Sequence, residues 1–469
     1  MPKCVLRFSG FLILIICLFA LRISPAGQKV SLAQETDEHR ASRMKWWTEA
    51  RFGMFIHWGI YALPARHEWV KNNEHITDEA YQKYFDHFNP DLYDPKAWAR
   101  MAKQAGMKYF VVTTKHHEGF CLWDSKYTDY KATKTPCGKD LIKPLVQAMR
   151  EEGLRVGIYH SLLDWHHPEY TLDENHPMFG NPEFREKAKS RDMAKYREYL
   201  HNQVRELLTE YGPIDCLFMD FSFPGKNGKG RADWDSEELI KMIRELQPNI
   251  IVDDRLDLLD VPGGWDYRTP EQFMPRDWVT MNGKRVPWET CQTFSGSWGY
   301  YRDETSWKSV RQLIALLVET VSKGGNLLLN VGPTARGAFD DRAVERLNGI
   351  GEWMKLHCRS IYGCTQAPDE FKAPQNCLLT YNPEAKRLYV HLLNWPIENL
   401  RLEGFGSRIR YAQLLNDASE IRFSEEDQSG ETGYLPGSRE KAGLKTLLLS
   451  LPVLRPNVEI PVIELFLND

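Results

Sequence analysis

The sequence lacks an excess of basic charge: its 60 Lys and Arg residues are outnumbered by 64 Asp and Glu, and the formal net charge is -4. A protein with this balance offers no electrostatic footprint for a nucleic-acid backbone, so we expect no nucleic-acid partner. Internal repeats and low-complexity tracts are also missing. What remains is a globular chain of 469 residues, long enough for a large barrel and one smaller domain.

Metal-ligand spacing is absent as well. Neither the HxH nor the HExxH pattern occurs, and His116 and His117 are adjacent residues, which point opposite ways on an extended chain. Asp253 and Asp254 keep one alternative open, a divalent cation in a metal-dependent hydrolase. We expect no catalytic metal and no cofactor.

The cysteines form no visible framework. Seven of the nine lie beyond residue 26, where they are scattered and odd in number. Neither a zinc spacing nor a disulfide pattern follows from their positions. Pairing of Cys358 with Cys364 or with Cys377 in an oxidising compartment is left open.

The chain begins with the pattern of a secretory signal. Two basic residues precede an apolar run from Phe8 to Ala20, and small residues follow at 24–26. We predict a signal peptide over residues 1–26 and a flexible segment over 27–41. The run is too short to be the only span of a membrane protein, so no membrane span is expected after cleavage. Whether the secreted protein is periplasmic, extracellular or lysosomal, and whether it forms a homo-oligomer, is left open.

Residues 42–361 alternate between short apolar runs and helical patterns. This alternation predicts parallel βα units and, at this length, a (β/α)8-like TIM-type barrel of class α/β. An eighth strand is not evident. The seven predicted strands are Arg51 to Gly59, Lys108 to Thr113, Leu154 to Tyr159, Ile214 to Met219, Ile250 to Val252, Trp288 to Thr293 and Leu327 to Val331. Residues 362–469 show alternating runs separated by Asn, Asp, Gly and Pro turns, which predict a C-terminal antiparallel β-sandwich.

Polar residues collect where successive predicted strands end, and these ends share one face of a barrel. We therefore expect one cleft to contain His57, His116, His117, Tyr159, Asp220 and Arg255. Asp220 ends a nearly all-apolar run, where a partly desolvated carboxylate can act as a nucleophile or a base.

Hydrolysis of a glycosidic bond needs two carboxyl groups around an oxocarbenium-like transition state. Asp220 is the first candidate. Glu271, in Tyr-Arg-Thr-Pro-Glu, and Glu289, in Pro-Trp-Glu-Thr-Cys, are the candidates for the second, and spacing alone does not choose between them. The 15 Trp and 20 Tyr residues also suit sugar binding, because an aromatic ring offers a flat apolar face.

Several segments together resemble the α-L-fucosidases of glycoside hydrolase family 29. They are FGMFIHWG (52–59), Glu68-Trp69, KHHEGF (115–120), YHSLLDW (159–165), Asp220 and WETCQTFSGSWGY (288–300). The resemblance runs from about Trp46 to Tyr362. The pattern in the last segment is more similar to the broad-specificity branch than to the branch restricted to Lewis-type linkages.

The resemblance implies a retaining, metal-independent double displacement that removes terminal α-L-fucose from oligosaccharides, polysaccharides or glycoproteins. It implies that Asp220 is the nucleophile and Glu271 the acid/base, with Glu289 as the runner-up. The fucose-binding positions that it implies are His57, Glu68, Trp69, His116, His117, Tyr159 and Arg255.

The sequence departs from the family pattern beside the nucleophile. Many members carry Trp-x-Asp-Gly, whereas this chain has Phe218 and Phe221 in place of the Trp and the Gly. Phe218 keeps an apolar wall for the sugar but has no indole N–H donor. Two alternatives therefore remain: a catalytically silent fucose-binding lectin, and a barrel glycosidase for a related sugar such as galactose.

Overall fold

A computed structural model describes residues 35–427 and 445–468. The predicted signal peptide and residues 27–34 of the predicted flexible segment lie outside these ranges. Within them, no helix combines the length and the apolar character that crossing a membrane requires.

The first part of the chain forms a seven-stranded parallel sheet in the order β5-β4-β3-β2-β1-β9-β8. Its strands correspond to the seven predicted ones, so the α/β class with a parallel sheet is confirmed. The strands in chain order, including the separate hairpin β6–β7, are β1 (Phe52–Ile56), β2 (Tyr109–Lys115), β3 (Arg155–Ser161), β4 (Cys216–Asp220), β5 (Ile251–Val252), β6 (Thr280–Met281), β7 (Lys284–Arg285), β8 (Glu289–Thr293) and β9 (Asn326–Val331).

One helix precedes the first strand, one follows the last strand of the parallel sheet, and the others lie between strands. The helices are α1 (Asp37–Ala50), α2 (Val70–Asn73), α3 (Asp78–Asp86), α4 (Pro95–Gln104), α5 (Ile142–Glu151), α6 (Pro182–Ala188), α7 (Met193–Glu210), α8 (Arg231–Trp234), α9 (Ser236–Leu246), α10 (Val310–Ser322) and α11 (Asp341–His357). Helix α1 begins inside the segment predicted to be flexible, residues 27–41. The reason is a side-chain cap, since the Thr36 hydroxyl accepts a hydrogen bond from the His39 N–H.

Closure of the predicted barrel is not shown, because β5 and β8 are the two edges of the sheet and no continuous eighth strand joins them within the described ranges. The opening between β5 and β8 is filled by an irregular segment, residues 266–272, which we call the seam segment. Its Asp266 N–H donates to Val252 O of β5 (2.8 Å), and its Gln272 N–H donates to Cys291 O of β8 (3.0 Å). Pro270 has no N–H to donate, and Gln272 has a left-handed φ of 51°, so the segment cannot extend as a regular strand.

The C-terminal part contains two antiparallel sheets. A five-stranded sheet has the order β10-β11-β12-β17-β14, and a three-stranded sheet has the order β13-β16-β15. Leu388 and Val390 of the first sheet and Leu402 and Leu449 of the second belong to one buried hydrophobic cluster, as in a β-sandwich. The strands are β10 (Thr365–Gln366), β11 (Cys377–Asn382), β12 (Arg387–Leu392), β13 (Asn399–Glu403), β14 (Ile409–Leu414), β15 (Arg422–Asp427), β16 (Lys445–Ser450) and β17 (Val462–Leu467).

Asp266 anchors the start of the seam segment. Its buried carboxylate accepts hydrogen bonds from Arg43 of α1 (2.6 Å) and from Arg244 of α9 (2.8 Å), and it also accepts from the Val252 N–H. Burial raises the pKa of Asp266, but the two arginines outweigh burial and lower it below its usual value. The carboxylate therefore ties α1 and α9 to the start of the seam segment.

We predict that Asp266→Ala lowers the free energy of unfolding by about 3–5 kcal/mol, because the buried Arg244 loses its carboxylate partner and the buried Arg43 keeps only Glu35. Urea denaturation at pH 7 measures this change. Asp260→Ala, which removes a carboxylate from an exposed ion pair with Arg231, serves as the control and should change stability far less. Since the folded-state pKa is lowered, the contribution of Asp266 is present at neutral pH and is lost as the pH falls below about 4. Equal effects of the two variants would contradict the anchoring role.

Candidate active site

A cavity of about 490 Å³ opens at the carboxyl ends of the parallel strands. Its volume lies in the range of pockets that hold one small molecule. The structure brings together around it every residue of the predicted site except the runner-up Glu289. The residues in question are His57, Glu68, Trp69, His116, His117, Tyr159, Phe218, Asp220, Arg255 and Glu271.

The cavity also has lining residues that the sequence analysis did not identify. They are Phe55, His67, Asn73, Gln272, Cys291, Gly296 and Trp298. Trp298 contacts the His57 ring with a centroid distance of 5.0 Å. The sequence could have pointed to Trp298, because this residue lies in the Ser-Trp-Gly-Tyr motif. His67 and Asn73 come from a loop and a short helix, where no strand-end pattern predicts a site residue.

Asp220 is the last residue of β4, and both of its carboxylate oxygens have partners. The Tyr159 hydroxyl donates to Oδ2 (2.8 Å), and Arg255 Nη1 donates to Oδ1 (2.7 Å). His117 Nε2 lies 3.9 Å from Oδ2. These contacts fix the orientation of the carboxylate while it remains exposed to the cavity.

Arg255 joins the two candidate carboxylates. Its Nη1 donates to Asp220, and its Nη2 donates to Glu271 Oε2 (2.8 Å). Thr269 Oγ1 accepts a third bond, from Nε (3.0 Å), which orients the guanidinium group. Burial lowers the pKa of Arg255, but the adjacent carboxylates, Asp220 first, outweigh it and raise the pKa well above its ordinary value. The group is therefore a permanent positive charge between two acids.

Two of the cavity histidines, His57 and His117, form hydrogen bonds through Nδ1 with uncharged side chains. His57 Nδ1 lies 2.7 Å from Asn330 Oδ1, and the Asn330 amide nitrogen donates elsewhere, to Trp298 O. His117 Nδ1 lies 2.7 Å from Ser161 Oγ, whose own hydrogen is donated to a backbone carbonyl. Both partners accept, so both rings carry their proton on Nδ1. Burial, more than any other cause, lowers the pKa of His57 and His117 well below the ordinary value. The two rings are neutral, and each has Nε2 free to accept a hydrogen bond.

Glu68 and Trp69 form another part of the wall. Glu68 Oε2 accepts from the backbone N–H groups of Trp298 (3.1 Å) and Gly299 (2.8 Å), whereas Oε1 makes no hydrogen bond to any described residue. Trp69 packs edge-on against His117, with ring centroids 5.2 Å apart. The nearest recorded charged contact of Oε1 is His67 Nδ1, at 3.2 Å. A buried carboxylate oxygen without a hydrogen bond beside an aromatic face suits a sugar hydroxyl next to an apolar sugar surface.

Phe218 lies at the floor of the cavity. Its ring contacts Phe55 (5.2 Å) and Tyr159 (5.9 Å), and the Arg255 guanidinium lies 4.9 Å above it. The residue therefore supports the two side chains that bond to Asp220. Phe221, the other departure from the family pattern, lies at the rim and contacts His117 (5.6 Å) and Trp69 (6.0 Å).

Glu289 lies at the opposite end of the sheet. It is the first residue of β8, and its carboxyl group is bonded to the hydroxyl of Tyr109, the first residue of β2. Burial raises the pKa of Glu289 to about 8. The side chain does not line the cavity, because the cavity is formed at the other ends of these strands.

The acidic pair at the end of β5 has structural partners. Asp254 accepts from Arg268 Nε and from Thr269 Oγ1, both at 2.5 Å, and Asp253 accepts from the Met219 N–H (3.2 Å). Burial raises the pKa of Asp253 well above its usual value. The pairing left open for Cys358 is not formed, since the cysteines of the described ranges are free thiols.

A parallel α/β sheet with paired carboxylates, neutral histidines and aromatic walls around one pocket defines a glycoside hydrolase. The family whose model matches the chain is Alpha-L-fucosidase, over residues 20–359. The chain therefore belongs to the α-L-fucosidase family, glycoside hydrolase family 29, and is an α-L-fucosidase enzyme.

Individual relatives agree. The chain is 30% identical over 423 residues to plasma alpha-L-fucosidase of Homo sapiens, covering 83% of this chain and 85% of that one. It is 29% identical to alpha-L-fucosidase of Dictyostelium discoideum, covering 90% of this chain and 91% of that one. Alpha-L-fucosidase isoenzyme 1 from Paenibacillus thiaminolyticus superposes with a TM-score of 0.84 at 44% identity, covering 92% of this chain and 100% of that chain. A GH29 enzyme from Bacteroides thetaiotaomicron was solved as a trapped covalent intermediate with 2-fluoro-fucosyl fluoride. It superposes with a TM-score of 0.76 at 28% identity, covering 91% of this chain and 96% of that chain. These comparisons give no support to the lectin or related-sugar alternatives.

We predict that Glu289→Gln retains fucosidase turnover within about threefold, because the residue lies away from the cavity. Wild-type stability should fall between about pH 4.5 and 8, where the unfolded chain releases the Glu289 proton and the folded protein keeps it, by up to about 1.4 kcal/mol per pH unit. The variant should lose this dependence. Urea denaturation across this pH range, with an activity assay on the same samples, measures both effects. Loss of turnover in a stably folded variant would return Glu289 to the catalytic candidates.

Proposed function

We propose that this enzyme is a retaining exo-glycosidase that removes terminal α-L-fucose by double displacement, with Asp220 as the nucleophile and Glu271 as the acid/base. One observation carries the assignment: a single guanidinium group, that of Arg255, bonds to both carboxylates inside the cavity. Retaining glycosidases need two carboxyl groups about 5–5.5 Å apart, and a shared guanidinium favours such a short separation.

In the first step, Asp220 attacks the anomeric carbon as the glycosidic C–O bond breaks, and protonated Glu271 gives its proton to the leaving oxygen. Tyr159 and Arg255 hold the Asp220 carboxylate in place for this attack. The Glu271 side chain is 41% exposed, so it can exchange its proton with solvent between turnovers. The product of this step is a covalent fucosyl-enzyme.

In the second step, Glu271 has lost its proton and acts as the base toward an incoming water. The water oxygen attacks the anomeric carbon, the bond to Asp220 breaks, and the second inversion restores the original configuration. The trapped covalent intermediate of the related Bacteroides thetaiotaomicron enzyme supports this route for the present chain.

The cavity walls support fucose as the bound sugar. His57, Glu68, His116 and His117 offer polar groups for ring hydroxyls, and Trp69 and Phe218 offer the apolar surface that the C5 methyl group needs. We place the enzyme in the broad-specificity branch, on the Trp-Glu-x-Cys and Ser-Trp-Gly-Tyr pattern. Its proposed substrates are fucosylated oligosaccharides, polysaccharides and glycoproteins.

We also propose that the mature enzyme is exported and has two domains. The basic residues, apolar run and small residues of positions 1–26 support a signal peptide, and the similarity to a plasma enzyme supports secretion. The change from a parallel sheet to antiparallel sheets supports a catalytic domain over 42–361 and a C-terminal domain over 362–469.

The test uses 4-nitrophenyl α-L-fucoside with purified wild type, Asp220→Ala and Glu271→Ala. We expect a kcat loss of at least about 10³-fold for Asp220→Ala and about 10²–10⁴-fold for Glu271→Ala. Added azide should restore turnover in both variants, and the two fucosyl azide products should have opposite anomeric configurations. The Asp220 variant should give fucosyl azide of inverted configuration, whereas the Glu271 variant should give the retained product, because its covalent intermediate still forms.

The wild-type product provides a second check, since NMR of the first-formed L-fucose should show the α anomer. Formation of the β anomer would refute the double displacement. Inverted azide product from the Glu271 variant would show that Glu271, not Asp220, is the nucleophile.

A further inference from the structure

Three of the four cavity histidines, His57, His116 and His117, share one arrangement, in which each ring turns Nδ1 away from the cavity. As described above, Asn330 and Ser161 accept from Nδ1 of His57 and His117. Nδ1 of the third ring, His116, faces the carboxylate of Glu118, with Oε2 at 3.5 Å. This residue belongs to the KHHEGF motif, and neither the resemblance nor the proposed mechanism gives it a role.

Glu118 is a buried acid with no hydrogen bond to satisfy it. Its side chain is 1% exposed, and neither oxygen bonds to any described residue. His116 Nδ1 is likewise buried and makes no hydrogen bond within the described ranges. Burying a carboxylate or a ring nitrogen without a partner is unfavourable, and one hydrogen bond between Glu118 and His116 Nδ1, or one water bridging them, would satisfy both groups.

Gly59, which has no side chain, leaves room for the Glu118 carboxylate. A Cβ atom at Gly59 would lie 3.1 Å from Glu118 Oε1 and 2.8 Å from the Tyr61 ring. The Tyr61 and His116 rings are in contact at 5.4 Å. On its other sides His116 faces His117 (4.0 Å), His57 (5.7 Å) and Tyr159 (5.8 Å). The ring therefore stands in a fixed wall, and Glu118 is the acceptor behind it.

We propose that Glu118 is a positioning residue that holds the Nδ1–H of His116, directly or through one buried water, so that His116 Nε2 accepts a hydrogen bond from a fucose hydroxyl. The inference rests on the proposed function for the identity of the sugar. All three histidines then present the same acceptor atom to the cavity. Without Glu118, the proton of His116 can move to Nε2, which turns an acceptor into a donor and leaves the sugar hydroxyl without its partner.

The test compares Glu118→Met, which has similar length but no acceptor, with Glu118→Gln, which keeps an acceptor oxygen. L-fucose binding is measured by titration calorimetry, with kcat and KM measured on the aryl fucoside. Glu118→Met should weaken L-fucose binding about 10-fold or more, and Glu118→Gln should stay within about threefold of wild type. The matched control is Glu206→Met, because Glu206 is a buried acid bonded to Trp123 Nε1 (2.8 Å) and does not line the cavity. Its affinity should be unchanged.

A double variant separates positioning from a general structural effect. If Glu118 acts through His116, the double variant His116→Ala/Glu118→Met should bind L-fucose no more weakly than His116→Ala alone. Additive losses, or wild-type binding by Glu118→Met, would overturn the proposal. Thermal unfolding of each variant identifies losses that come from an unfolded fraction.

The tautomer can be observed without any sugar. In protein labelled with ¹⁵N-histidine, the resonances that disappear in His116→Ala should report a proton on Nδ1 in the wild type and a changed tautomer in Glu118→Met. A wild-type proton on Nε2 would overturn the proposal even if fucose binds. Conversely, the Nδ1 tautomer in a wild type that neither binds nor hydrolyses fucosides would refute the proposed function and leave the His116–Glu118 pair established.

Discussion

The ion pair between Arg255 and two carboxylates is the interaction on which the rest of the site depends. Two acids close enough for double displacement repel each other, and a cation between them offsets that repulsion. Arg255 can do so because it lies in the loop just after β5, next to Asp220 at the end of β4, and because Thr269 fixes its guanidinium group. The arrangement therefore needs β4, β5 and the seam segment to meet at one point.

Around this charged centre, the structure keeps two sugar-facing histidines, His57 and His117, neutral. Burial disfavours charge on His57 and His117, and their Nδ1 partners decide which nitrogen faces the cavity. The pocket therefore combines the reacting carboxylates, their arginine and the Glu68 carboxylate with oriented, uncharged histidine acceptors for sugar hydroxyls. Such acceptors orient the sugar hydroxyl groups, since each one accepts a hydroxyl hydrogen and repels an oxygen lone pair.

Much of this site was predictable because the rule that collects strand ends on one face needs only apolar runs and the polar residues that follow them. His57, Tyr159, Asp220 and Arg255 follow that rule. Trp298 and His67 do not, since they reach the cavity from loops whose course depends on tertiary packing. The closed barrel was predicted from length and alternation alone, whereas Pro270 and the left-handed Gln272 prevent the last strand from forming. Sequence spacing could not choose between Glu271 and Glu289. The two residues are close in sequence, but Glu271 lines the cavity and Glu289 lies at the other end of the sheet.

The seam segment gives the two proposed catalytic acids different structural freedom. Asp220 belongs to a strand paired on both sides, where an insertion would shift the register of the whole sheet. Glu271 belongs to a short stretch with few ladder bonds, where residues can be gained or lost without displacing neighbouring strands. During divergence, the nucleophile region should therefore stay recognisable, while the segment with the second acid drifts in length and sequence. Members of such a family would be easy to align at one carboxylate and hard to align at the other.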